Sequence, residues 1–211
     1  RISQRASASM VPHSGVGGAA PRPMKLSDHG AGPVSGSLRH MRSEAVPPVA
    51  DRQAGVFTVE QALDAGWSER QIRRRTAERS WVRVAGTGLT SAVNRRTPAA
   101  VGWAVHLTLP SAIVSHVTAA HLLEFPVPAP LAAHASLPSG RRSRSIHTWR
   151  WAVPREETLV LDRSMPLTHR TRTAIDCLAV LPRSAALSLL AWAMTRRHVS
   201  SDDLAAGLGV C

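Results

Sequence analysis

Residues 55–90 read GVFTVEQALDAGWSERQIRRRTAERSWVRVAGTGLT, and several local signals in this stretch agree with one another. Thr58 followed three residues later by Gln61 is a capping-box pattern. It opens a short helix whose Val59, Ala62, Leu63 and Ala65 give a partial apolar stripe. Gly66 ends that helix. Ser68 with Gln71 forms a second capping box, and Trp67 before the cap with Ile72 inside the helix fits a hydrophobic staple. The spacing predicts a second helix over Glu69–Glu78. Trp81-Val82-Arg83-Val84 then alternates apolar and polar, and Gly86-Thr87-Gly88 leads into Leu89-Thr90, the pattern of a small hairpin. Two short helices joined by a Gly-containing turn and followed by a hairpin predict a winged helix-turn-helix.

On a helix with 100° between residues, Arg70, Arg73 and Arg74 lie within about 100° of one another, on the side opposite Ile72, Thr76 and the stem of Arg79. Outward arginines on a recognition helix can reach phosphates or the acceptor edge of guanine. A solvated helix face is the plain alternative, since Glu69 and Glu78 stand close enough to pair locally.

The flanks differ in kind. Residues 1–50 contain no Phe, Trp or Tyr and are rich in Ser, Gly and Pro, a composition that predicts a disordered tail. Gly15–Gly18 has neither a following Lys-Ser/Thr nor a flanking strand, so it is not a phosphate loop. A winged helix-turn-helix domain is assigned to 51–93, although Asp51–Phe57 is too short for the helix that usually precedes such a module. Residues 94–211 predict a mixed α/β region. Helices are expected at Ala99–Leu107, Thr118–Phe125, Arg172–Leu181 and Ser184–Arg197, with a short one capped at Ser200. Strands are expected at Ala112–Ser115 and at 132–137, 146–153 and 157–162. The fold class is therefore α+β. The chain starts on Arg1 and stops at Cys211, so neither end is taken as native.

The formal charge is +12, from 26 cations against 14 anions, and 25 of those cations are Arg. That excess favours a polyanionic partner. A bias so complete reflects coding composition, so only clustering counts. Arg141, Arg142, Arg144 and Arg150 form a second cluster, in a segment that resembles a hairpin loop. The two cysteines, Cys177 and Cys211, support no disulfide framework, no secretory segment is apparent, and a cytoplasmic location is expected. Residues 97–123 carry no formal charge, but Pro98, Pro110 and three histidines interrupt them, so no membrane span is expected.

No catalytic or metal site is expected. His116, His121 and His134 lack a ligand spacing, and no Gly-x-Ser-x-Gly elbow is present. A restriction-type nuclease needs paired carboxylates with a nearby lysine. The only lysine is Lys25, far in sequence from Glu156, Glu157, Asp162 and Asp176, and Arg is a poor substitute in proton transfer. Arg172 and Asp176, one turn apart, predict an intrahelical ion pair. The chain is accordingly expected to be no enzyme and to need no cofactor.

The stretch FTVEQALDAGWSERQIRRRTAERSWVRV at 57–84 resembles the N-terminal winged-helix domain of AbiEi-type antitoxins of type IV toxin-antitoxin (abortive infection) systems. SHVTAAHLLEFPVP at 115–128 and PLTHRTRTAIDCLAVLP at 166–182 resemble the second domain of actinobacterial members. The resemblance implies a DNA-binding transcriptional autoregulator that acts on its own operator, and a second domain opposing a nucleotidyltransferase-like toxin. It carries the DNA-reading helix onto Ser68–Arg79 and the wing onto Trp81–Leu89. The expected DNA-contacting set is therefore Ser68, Arg70, Gln71, Arg73, Arg74, Arg75, Arg79 and Arg83. Thr87-Gly88-Leu89-Thr90 stands where many relatives have a Gly-Val-Tyr-like strand, and residues 94–211 are not expected to form the restriction-endonuclease-like domain of other members. The second reading is thus a non-catalytic, DNA-targeting remnant of a nuclease fusion.

Overall fold

The computed structural model describes residues 46–94, 96–139, 143, 145–161 and 164–208. The expected tail, as far as residue 45, lies outside the described residues, as do Arg141, Arg142, Arg144, Asp162 and Cys211. Among the described residues the chain is α+β, with seven α-helices and two sheets.

The first module is built by its caps. Helix α1 (Val59–Asp64) starts where the Gln61 N–H donates to Thr58 Oγ1 at 3.2 Å and the Thr58 N–H donates to Gln61 Oε1 at 3.0 Å. Helix α2 (Glu69–Ala77) repeats the device, with the Ser68 N–H donating to Gln71 Oε1 at 2.8 Å and the Gln71 N–H to Ser68 Oγ at 3.3 Å. Each box satisfies two backbone donors that a helix start would otherwise leave open. Glu78, expected as the last helical residue, is the C-cap. In front of α1, Pro48–Arg52 form one 3-10 turn whose Ala50 is buried, with Val46 and Val49 packed beside it.

Strands β1 (Val56–Phe57), β2 (Trp81–Ala85) and β3 (Gly88–Ser91) form an antiparallel sheet in the order β1-β3-β2. Strand β1 was not anticipated. Successive side chains point to opposite faces, so Phe57, Trp81 and Leu89 meet Ala62 and Ile72 on one side, a small core of their own. Leu63 and Ala65, assigned to the apolar stripe of α1, stay exposed. On the other side Val56, Val84 and Ala85 belong to a larger cluster led by α3 (Pro98–Thr108), which packs on all three strands. Helix α3 starts as its sequence dictates, with Thr97 Oγ1 accepting from the Ala100 N–H at 3.1 Å and proline at its first position.

The approach of α3 to the sheet depends on Gly88. A Cβ there would lie 2.7 Å from Ala104 Cβ and 3.0 Å from Ala104 Cα. Because one obstacle is backbone, Gly88→Ala must push α3 off the sheet, with an expected loss of roughly 2–3 kcal/mol typical of overpacking. Urea denaturation followed by circular dichroism reads it, and a loss below about 0.5 kcal/mol would show that α3 is free to shift.

The second sheet runs β6-β5-β4-β8-β7. Its strands are β4 (Ile113–Val114), β5 (Ala133–Leu137), β6 (Ile146–Arg150), β7 (Thr158–Leu161) and β8 (Met165–Thr168). Helices α4 (His116–Leu122), α5 (Arg170–Val180), α6 (Arg183–Thr195) and α7 (Ser201–Leu208) complete the chain. Two expectations are corrected. Strands β5 and β6 pair in parallel, Ala133 with Ile146 through Leu137 with Arg150, so the segment between them returns the chain to the start of the strand instead of closing a hairpin. Strand β8 was not foreseen; it lies parallel to β4 and antiparallel to β7. Helix α3 packs on β4, β5 and β8 as well as on the first sheet, so one helix spans both.

Candidate nucleic-acid interface

Helix α2 is held by one buried side chain and one stacked cation. Ile72 is 5% exposed in the small core. Arg75, half-buried, lays its guanidinium 4.7 Å from the Trp67 ring centre and 5.6 Å from that of Trp81. The two indoles meet edge to face at 4.9 Å. Arg75 therefore acts as a lid over aromatic faces, a cation–π arrangement that spends its charge inward. Its side chain does not share the outward face of its neighbours.

That outward face carries Arg70, Arg73 and Arg74, all exposed. Arg73 Nη2 lies 3.4 Å from Glu69 Oε2, and Arg74 Nε lies 3.8 Å from Glu78 Oε1. Both pairs are solvent-exposed i,i+4 contacts, worth a few tenths of a kcal/mol, and a phosphate can displace either carboxylate at little cost. Arg70 sits between them on the helical wheel and makes no ion pair among the described residues. The arrangement offers one free guanidinium flanked by two weakly engaged ones.

The remaining expected residues are placed differently. Ser68 and Gln71, though exposed, spend their side chains on each other's backbone N–H, and the Ser68 hydroxyl also donates to Gln71 Oε1 at 2.9 Å. Arg79 is exposed just past α2 with φ +56°, a left-handed C-terminal stop made without glycine. Arg83 is exposed on β2, and its Nη1 donates to the Gly86 carbonyl at the tip of its own hairpin. The structure thus gathers Arg70, Arg73 and Arg74 on one face and keeps Arg75 and Arg83 off it.

Sequence reasoning missed how the hairpin tip is engaged. The Thr87 N–H donates to Thr108 Oγ1 at 2.9 Å, while the Thr108 hydroxyl donates to the Ala104 carbonyl at 2.6 Å. The Gly86 N–H donates to Ser145 Oγ at 2.6 Å, reaching the residue just before β6. Gly86 has φ +51°, and a Cβ there would fall 2.1 Å from Thr108 Oγ1, so only glycine fits the latch. A projecting wing would leave this turn free; here it is tied to the second half. No local pattern announces these partners, which stand 21 and 59 residues away.

Residues 44–85 match the model of a family described as "Transcriptional regulator, AbiEi antitoxin". The match takes in the 3-10 turn, both capped helices and strand β2. No curated protein matches the chain.

Proposed function

We propose that the chain is a DNA-binding transcriptional autoregulator and the antitoxin of a type IV toxin-antitoxin pair, with residues 51–93 as the DNA-binding module. The observation that carries it is the outward face of α2, where Arg70, Arg73 and Arg74 project together from a helix fixed by a reciprocal cap and by Ile72. The family match over the same segment supports the regulatory role. Double-stranded DNA is the expected partner, met in the major groove by α2. Because the hairpin tip is engaged with Thr108 and Ser145, α2 supplies most of the contact and Arg83 little of it. A nucleotidyltransferase-like toxin is the partner assigned to the second region, in a cytoplasmic setting; among the described residues no helix is long and apolar enough to cross a membrane.

The test is a mobility-shift titration on the upstream region of the chain's own operon. Changing Arg70, Arg73 and Arg74 together to Ala is expected to weaken binding at least roughly 100-fold, at about 1 kcal/mol or more per lost charged contact. Arg83→Ala should weaken it less than threefold. If roughly five phosphates are contacted, log affinity falls with log salt at a slope near −4 to −5. Unchanged affinity in the triple variant, or a flat salt response, rejects this face as the DNA contact.

A further inference from the structure

A cleft of about 710 Å³ opens in the second half, between the end of β6, the turn at Glu157, helix α5 and helix α7. Its volume suits a nucleoside-sized molecule. The wall is made of flat groups in layers. The Trp149 ring stacks on His116 at 3.6 Å and 14° and on His147 at 4.3 Å and 29°. Arg172 lies 4.9 Å above the Trp151 ring. Period-2 placement puts His147, Trp149 and Trp151 on one side of β6 and its extension, an aromatic alternation in HTWRW that the sequence reading passed over.

Two polar atoms in this wall are unmatched. The Asp176 side chain is 6% exposed. Its Oδ1 accepts from Arg172 Nε at 2.8 Å, but its buried Oδ2 has no donor. The nearest candidate, His116 Nδ1, is 3.9 Å away and already bonded to the Ser115 hydroxyl at 2.8 Å. The Trp151 indole N–H is buried with no acceptor. A buried acceptor and a buried donor, each left open, are costly features that a ligand carrying both kinds of group would relieve.

The charge pattern selects among ligands. Arg172 is neutralised, since its Nη1 also donates to Glu157 Oε2 at 3.2 Å. Arg150 and Asp203 also line the cleft, so its three carboxylates outnumber its two guanidiniums by one. That balance gives a phosphate no net attraction, whereas an uncharged heterocycle needs none. We infer that the cleft binds an uncharged purine or pyrimidine nucleoside, whose amino or ring N–H donates to Asp176 Oδ2 and whose ring nitrogen or carbonyl accepts from the Trp151 indole. The inference stands apart from the DNA-binding reading, which concerns α2.

Calorimetric titration of the full chain with adenosine, guanosine, cytidine and uridine, and with guanosine 5′-monophosphate as the phosphate-bearing arm, tests it. At least one nucleoside is expected to bind with Kd below about 1 mM. Trp151→Phe keeps the ring and removes the donor, and Asp176→Asn keeps the shape and replaces the open acceptor. Each should weaken that nucleoside at least roughly tenfold, the worth of one buried hydrogen bond to a matched partner. Unchanged circular dichroism and melting temperature will certify the fold of Trp151→Phe. Absence of binding by all four nucleosides, parental affinity in both variants, or tenfold tighter binding of the monophosphate than of guanosine overturns the inference.

Discussion

Trp81→Ala is expected to remove about 3–5 kcal/mol of stability, the usual range for emptying a buried indole site, and with it most of the folded first module at physiological temperature. Trp81 is 1% exposed and is the largest side chain in a core otherwise made of Ala50, Phe57, Ala62, Ile72 and Leu89. Two aromatic rings lean on it, Phe57 at 4.7 Å and 73° and Trp67 at 4.9 Å and 61°, and Arg75 closes the top. Phe57 and Trp67 can fill an indole-sized space only by leaving their own contacts. Edge-to-face pairs add roughly 0.5–1.5 kcal/mol each beyond the buried area. Trp81→Phe keeps a ring and should cost less than half as much. Urea denaturation monitored by far-ultraviolet circular dichroism separates the two variants. A loss below about 1 kcal/mol for Trp81→Ala would mean that α2 is held by something other than this stack. Since α2 carries the arginine face, the same variant should lose DNA binding through unfolding, whereas the triple arginine variant should lose it while folded.

That contrast bears on how far the sequence could be read. Both capping boxes, the starts of α1, α2 and α3, and the Arg172–Asp176 pair are set by residues three or four apart, and the structure has each where the spacing predicted it. Arg70, Arg73 and Arg74 followed from the 100° step once Ile72 was assigned inward. What escaped detection depends on distant partners. Strand β1 is two residues long and exists because Val56 and Phe57 pair with Thr90 and Leu89. Strand β8 contains Pro166, which speaks against a strand until its pairing with β7 and β4 is known. The parallel pairing of β5 and β6 contradicts the short connection between them, which reads locally as a hairpin. Arg75 was placed among the expected DNA contacts, and periodicity cannot show that Trp67 and Trp81 stand close enough to take its guanidinium.

The buried pair beside the cleft predicts acid responses of opposite sign. Burial pushes His116 down to about 3, helped by the like charges of His134, Arg172 and His147, whereas burial pushes Asp176 up to about 6 against the opposing pull of Arg172. As pH falls below 6.5 the unfolded chain protonates His116 and the folded chain does not, so stability present at pH 7 is lost, by about 3 kcal/mol at pH 4. Asp176 works the other way. Its folded carboxyl takes up a proton near pH 6 while the unfolded one waits until about 3.8, so the fold gains about 2 kcal/mol over the same interval. The two largely offset each other in the parent chain, and His134, held down at about 4 by burial and by His147, adds to the residual acid loss. Removing one group uncovers the other. Asp176→Asn should steepen the fall in stability between pH 7 and pH 4. His116→Asn should flatten or reverse it; asparagine is chosen because residue 116 has φ +51°, which Asn tolerates and a bulkier substitute does not. Exposed groups such as Asp203 and Glu60 titrate alike in both variants, so the difference between the two pH slopes, on the order of 5 kcal/mol, isolates the buried pair. Urea denaturation at pH 4, 5, 6 and 7 measures it, and parallel slopes for the two variants would show that neither group is kept in its neutral form by the fold.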